Sequence, residues 1–155
     1  MNLDINMIKE WFSVKTKKIH VGFEDVKYAI SHTEYFIINT LSAREQECLI
    51  FGTIPSDKEE QILNQWIENG ELSKYRFIVY GKNASDGTAK TKYDQLKSFG
   101  LNGYIYAGGL FEWLLLQDIY GFSEFPTTTV CKDLLKYREP MSNELIQSYS
   151  IVKRG

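Results

Sequence analysis

The sequence predicts an α/β fold in which a mostly parallel sheet lies between layers of helix. Three observations lead there. Tyr35-Phe-Ile-Ile-Asn39 and the stretch Tyr75 to Tyr80, which reads YRFIVY, are unbroken apolar or β-branched runs of strand length. Such runs suit strands covered on both faces, as in parallel sheets. Helical windows ending in glycine alternate with them, at Gly70, Gly100 and Gly121. Strand alternating with helix at these lengths points to right-handed crossovers around one sheet.

The elements follow in order. Leu3, Met7, Ile8 and Trp11 recur at helical spacing, with Asp4 and Glu10 on other faces, which predicts an amphipathic N-terminal helix that docks on the domain or on a partner. Ile19 to Val21 is expected as a short edge strand, and Phe23, Val26, Tyr28 and Ile30 as a helix closing near Ser31. Tyr35 to Asn39 is the central strand. Ser56 followed by Glu59 is a capping-box pattern, and Ile62, Leu63, Trp66 and Ile67 continue it as an apolar stripe up to Gly70. After the Tyr75 to Tyr80 strand comes the polar loop GKNASDG, then a helix from Thr88 through Ala89, Tyr93, Leu96 and Phe99. Tyr104 to Tyr106 forms a further strand. Gly108 and Gly109 make a tight turn into a helix from Leu110 to Tyr120, apolar on most faces and therefore expected to be buried. From Phe125 to Gly155 the periodicity weakens, and Pro126 and Pro140 interrupt it. That stretch is expected to wrap the domain, because Leu134, Leu135, Leu145 and Ile146, with Trp11 and Phe12, would otherwise expose apolar surface.

Composition narrows the function classes. The 155 residues suit a single domain, 1–155, with a core of about 19–121. Apolar residues at 43% and aromatics at 14% are enough to fill a core. A net charge of −2, from 18 basic and 20 acidic residues, supplies no global field toward nucleic acid or anionic membranes. Cys48 and Cys131 stand far apart in the chain and form neither a disulfide framework nor a zinc pattern. An intracellular, cytoplasmic setting is expected, without export signal or membrane anchor, and a large assembly or virus particle is a second setting. His20 and His32 lack a second ligand at metal-binding spacing, so no metal and no cofactor is expected.

Three segments resemble the rhodanese superfamily over roughly residues 23–121. Tyr104-Ile-Tyr-Ala-Gly-Gly-Leu-Phe-Glu-Trp113 is similar to the family's final strand, paired glycines and helical tryptophan. The strand Phe36 to Asn39, followed by Glu45 and by Leu49-Ile-Phe-Gly-Thr-Ile54, sits where the family writes His-Ile-Pro-Gly-Ala. Phe77 to Tyr80, the loop after it and a helix ending Leu96-Lys-Ser-Phe-Gly100 complete the likeness. The resemblance implies three layers, α/β/α, around a five-stranded sheet. It also implies an active-site loop after the fourth strand, where the crevice rule for open sheets places ligands as well.

That loop is Gly81 to Thr88. In active relatives its first residue is a cysteine whose thiolate carries sulfane sulfur within a ring of backbone amides; here it is Gly81, which has no side chain for a persulfide. Asn39 and Leu41 stand near the family's early aspartate and arginine. The loop is roughly three residues longer than the usual sulfurtransferase loop, and Ser85 and Thr88 have no histidine nearby in sequence to activate them. Two readings of Gly81, Lys82, Asn83, Ala84, Ser85, Asp86, Gly87 and Thr88 stay open. In one the loop offers amides, a helix N-terminus and Lys82 and Lys90 to an anion. In the other, Asn83, Ser85 and Asp86 satisfy the loop itself and cap the helix.

The expected function is a non-catalytic module, an inactive sulfurtransferase homologue that binds a protein partner, self-associates or serves in an assembly. The alternative is a sulfurtransferase or related oxyanion-handling enzyme using a relocated Cys48 or Cys131. Both cysteines otherwise read as buried small hydrophobes, and Trp113 as core.

Overall fold

Apolar strands at the centre set the architecture. A computed structural model describes residues 4–7 and 18–154. Its strands are β1 (His20–Val21), β2 (Tyr35–Asn39), β3 (Arg76–Tyr80) and β4 (Asn102–Tyr106), and its helices α1 (Phe23–Ile30), α2 (Ser56–Asn69), α3 (Thr88–Ser98), α4 (Gly109–Tyr120) and α5 (Asn143–Arg154). The strands form one parallel sheet in the order β1-β4-β3-β2. Side chains of β3 alternate between the faces, as a pleated strand requires. Ile78 and Tyr80 join Val26, Leu110, Trp113 and Leu114 of α1 and α4. Phe77 and Val79 join Trp66, Tyr93 and Leu96 of α2 and α3. The result is helix, sheet, helix.

The sheet has four strands where five were expected. Leu49 to Ile54 runs beside β2 but makes one parallel bridge, Thr53 to Ile37, with Ile54 N donating to Ile37 O at 2.8 Å. Pairing stops there for local reasons. Gly52 enters the bridge at φ +87 and Pro55, which has no N–H to add to a ladder, leaves it for α2.

Two further expectations change. The Ser56–Glu59 capping box does not form: Pro55 occupies the cap position, Ser56 Oγ donates to Gln46 Oε1 at 2.9 Å, and Glu59 pairs with Lys92 Nζ at 3.0 Å. Tertiary partners outcompete the local cap. Helix α4 is not buried all round, because Leu110, Trp113 and Leu114 face the core whereas Ile119 and Tyr120 are 69% and 63% exposed. Gly70 ends α2 in the left-handed conformation, as its position predicted.

The segment after α4 wraps the α1–α4 side. Phe125 and Tyr137 are buried there, Trp113 Nε1 donates to Pro126 O at 3.1 Å, and Thr127 bridges Ile50 in antiparallel sense. The contact runs through Phe125 and Tyr137, with Leu134 partly buried, while Leu135, Leu145 and Ile146 are exposed. Trp11 and Phe12, and most of the predicted N-terminal helix, lie outside the described residues; Ile5 and Met7 are exposed.

Candidate functional site

The carboxyl ends of β2, β3 and β4 converge on the loop from Gly81 to Thr88. Its backbone is held from outside and from within. Leu110 N donates to Gly81 O and Phe111 N to Lys82 O, each at 3.0 Å, so the first amides of α4 are spent on loop carbonyls. This close approach needs Gly109, at φ +67, where an added Cβ would lie 2.7 Å from Gly81 O and 3.0 Å from Asn83 N.

Asp86 turns inward. Its Oδ2 accepts from Lys82 N at 2.9 Å, and its Oδ1 accepts from Thr88 N at 3.0 Å and from Thr88 Oγ1 at 2.7 Å. A side chain begun at Gly81 would place its Cβ 2.6 Å from Asp86 Oδ2 and 3.2 Å from Thr40 Oγ1. The carboxylate thus fills the space over the loop that a residue at position 81 would enter. Burial works to raise the Asp86 pKa, but the Lys82 amide and the Thr88 hydroxyl and amide outweigh it and hold the group below its ordinary value. Gly81 itself has no positive φ.

The remaining loop residues are engaged locally. Asn83 is buried, accepts from Ser85 N at 3.0 Å, and donates to Tyr137 O and Arg138 O at 3.0 and 3.1 Å, which ties the loop to the C-terminal wrap. Lys82 Nζ pairs with Glu45 Oε2 at 2.8 Å, and this bond, against an opposing effect of burial, holds Glu45 below the usual carboxylate range. Lys90 pairs with Asp94. Ala84, Ser85, Gly87 and Thr88 are exposed. A cavity of about 210 Å³ opens beside the loop, lined by Ser85, Asp86, Lys90, Tyr106 and His20. The placement of His20 there is a product of the β1–β4 pairing and leaves no trace in local sequence.

At the end of β2, Asn39 is buried in an amide pair with Gln46: Asn39 Nδ2 donates to Gln46 Oε1 at 3.1 Å and Gln46 Nε2 to Asn39 Oδ1 at 2.7 Å. On β4, Tyr106 donates to Glu112 Oε1 at 2.8 Å, and burial, then the nearby carboxylate, push its phenol far up. Neither cysteine lines the loop cavity. Cys48 and Cys131 border a different one, of about 370 Å³, with Lys132 and Lys136. Among the described residues no three His, Cys, Asp or Glu side chains cluster to hold a metal, and no helix is long and apolar enough to cross a membrane.

No protein-family model matches the chain, and no curated protein matches it. Solved structures do. A full-length protein from Lactobacillus plantarum is 20% identical, with a TM-score of 0.53, over 81% of this chain and 96% of its own. The BH2092 protein from Bacillus halodurans is 15% identical, with a TM-score of 0.57, over 94% of this chain and 99% of its own. The chain shares their fold. At these identities the likeness extends to the arrangement of the sheet and its helices.

Proposed function

We propose that this chain is a non-catalytic, rhodanese-like module that acts by binding protein, as a partner in an assembly or with a second copy of itself. The observation that carries the reading is the Asp86 carboxylate seated over Gly81. Persulfide transfer requires a thiolate at the mouth of the loop with free amides around it. Here the position has no side chain, and an internal anion takes the Lys82 and Thr88 amides. The loop is self-complemented, and its two nearby lysines are paired with Glu45 and Asp94.

Helix α4 supports the binding half of the proposal. Leu115, Ile119, Tyr120 and Phe122 are large apolar side chains left open to solvent at its C-terminal end. Exposed apolar groups gathered in one place mark interaction surfaces more than isolated ones do. Two measurements test the reading. Purified protein given thiosulfate and cyanide should release thiocyanate no faster than buffer; turnover would overturn the non-catalytic assignment. Sedimentation over a wide concentration range, comparing the wild type with Ile119→Asp, reads the α4 face. Concentration-dependent association lost in the variant supports self-binding, and a monomer throughout overturns it in favour of a different protein as partner.

A further inference from the structure

The tertiary fold joins the two cysteines that the sequence separates. Residues 47–51 and 126–129 run antiparallel: Phe51 N donates to Pro126 O at 3.0 Å, Thr128 N to Leu49 O at 2.8 Å, and Thr129 Oγ1 to Glu47 O at 2.9 Å. Cys48 Sγ lies 3.7 Å from Thr129 O, two residues before Cys131. Cys48 is buried at 3% exposure, Cys131 is half-buried, and Cys131 packs against the same apolar cluster that contains Cys48. Both border the 370 Å³ cavity. Tyr137 is fully buried in that same cluster, and Lys136 Nζ stands 5.0 Å from the Tyr137 ring centre.

We infer that Cys48 and Cys131 form a peroxide-oxidised dithiol site in which Cys131 is oxidised first and Cys48 resolves it to a disulfide. The asymmetry of exposure assigns the roles: the half-buried Cys131 is the more open of the two to a small hydroperoxide in the cavity, whereas Cys48 is shielded at 3% exposure. Burial pushes the Cys48 thiol pKa up, with proximity to Cys131 adding to it, which fits a group that reacts second.

The chemistry balances without a cofactor. Cys131 sulfur forms a bond to one peroxide oxygen as the O–O bond breaks; the displaced hydroxide takes the thiol proton and leaves as water, beside the Lys136 ammonium. Cys131 is now a sulfenic acid. Cys48 sulfur then attacks the Cys131 sulfur, the S–O bond breaks, and the hydroxyl leaves as a second water with the Cys48 proton. Two thiols have given two electrons to one hydroperoxide. A dithiol reductant reverses the state by exchange. The disulfide would fasten the wrap at 126–131 to the segment 47–51 and so, through Asn83 and Tyr137, stiffen the support of the loop.

The test uses the full chain and hydrogen peroxide. After mild oxidation under native conditions, a digest without reductant should contain one peptide pair linked through Cys48 and Cys131. The intact mass should fall by about 2 Da. The melting temperature should rise by ~5–15 °C, reversibly with dithiothreitol. In Cys48→Ala the sulfenic acid on Cys131 should persist and be trapped by dimedone; in Cys131→Ala the native protein should keep its remaining thiol. Wild-type protein that retains both thiols, forms only intermolecular disulfides, or adds oxygen at Cys48 first overturns the assignment, and none of these outcomes depends on how either variant folds.

Discussion

Substituting cysteine for Gly81 restores the residue type that the rhodanese resemblance calls for, and the structure sets what it would cost. The new Cβ would lie 2.6 Å from Asp86 Oδ2, inside any real Cβ contact, and 3.2 Å from Thr40 Oγ1. Asp86 must swing away. It then loses at least its bond from the Lys82 amide, and hydrogen bonds to charged groups contribute about 1.5–3 kcal/mol each. A loss of about 2 kcal/mol converts to a fall of ~4–8 °C in Tm for a chain of this size. Backbone strain adds nothing, since Gly81 has no positive φ. Gly87→Ala is the control, because Gly87 at φ −69 has open space where its Cβ would go; its Tm should hold or rise slightly. Activity is read as thiocyanate release from thiosulfate and cyanide in a background with Cys48 and Cys131 changed to serine. Displaced from the centre of the amides, the thiol should turn over ~100-fold or more below an active sulfurtransferase. A Gly81→Cys protein that melts with the wild type, or that matches an active enzyme, would show that Asp86 does not occupy the cradle.

Asp86→Asn should destabilise the protein by about 1 kcal/mol at neutral pH, after allowing for partial solvent access to its bonds. Because the folded-state pKa of Asp86 is lowered, its contribution is complete above the unfolded value of about 3.9 and disappears as pH falls through the lower folded value. Urea titrations at neutral pH and near pH 3 should show the gap between wild type and variant closing in acid, and a constant gap would contradict the bonding described. Gly109→Ala and Gly70→Ala separate clash from conformation. Both sit near φ +66, but only Gly109 has a backbone 2.7 Å from the added Cβ, so calorimetry should give Gly70→Ala a cost of about 1–2 kcal/mol and Gly109→Ala a larger one. Phe125→Ala removes a buried ring stacked edge-on to Phe23 and Trp113; a loss of about 3–5 kcal/mol is expected from denaturant unfolding, and a loss below about 1 kcal/mol would mean the wrap does not belong to the core.

Much of the scaffold was legible because its determinants are local. Tyr35–Asn39 and Arg76–Tyr80 are strands as their continuous apolar runs foretold, although Tyr35–Asn39, expected at the centre of the sheet, lies at its edge beside β3. Gly70 and Gly100 end helices because left-handed backbone favours glycine wherever it occurs, and Trp113 is core because an indole in an apolar run has few other places to go. The lost capping box shows the limit of such signals. Ser56 and Glu59 carry a correct local pattern, and for each a side chain elsewhere in the chain offered a better partner.

The loop divides the same way. Its boundaries, the glycine at position 81 and its polar, cap-forming composition are properties of the sequence by itself. Where Asp86 points was decided only by the tertiary structure, since a side chain chooses among rotamers according to which donors are brought within reach. The same holds for the pairing of Lys82 with Glu45, 37 residues earlier in number, the grip of Asn83 on Tyr137, and the cavity that Cys48 and Cys131 share. Periodicity and propensity describe neighbours along the chain; charge compensation, an occupied amide cradle and a thiol pair are set by neighbours in space.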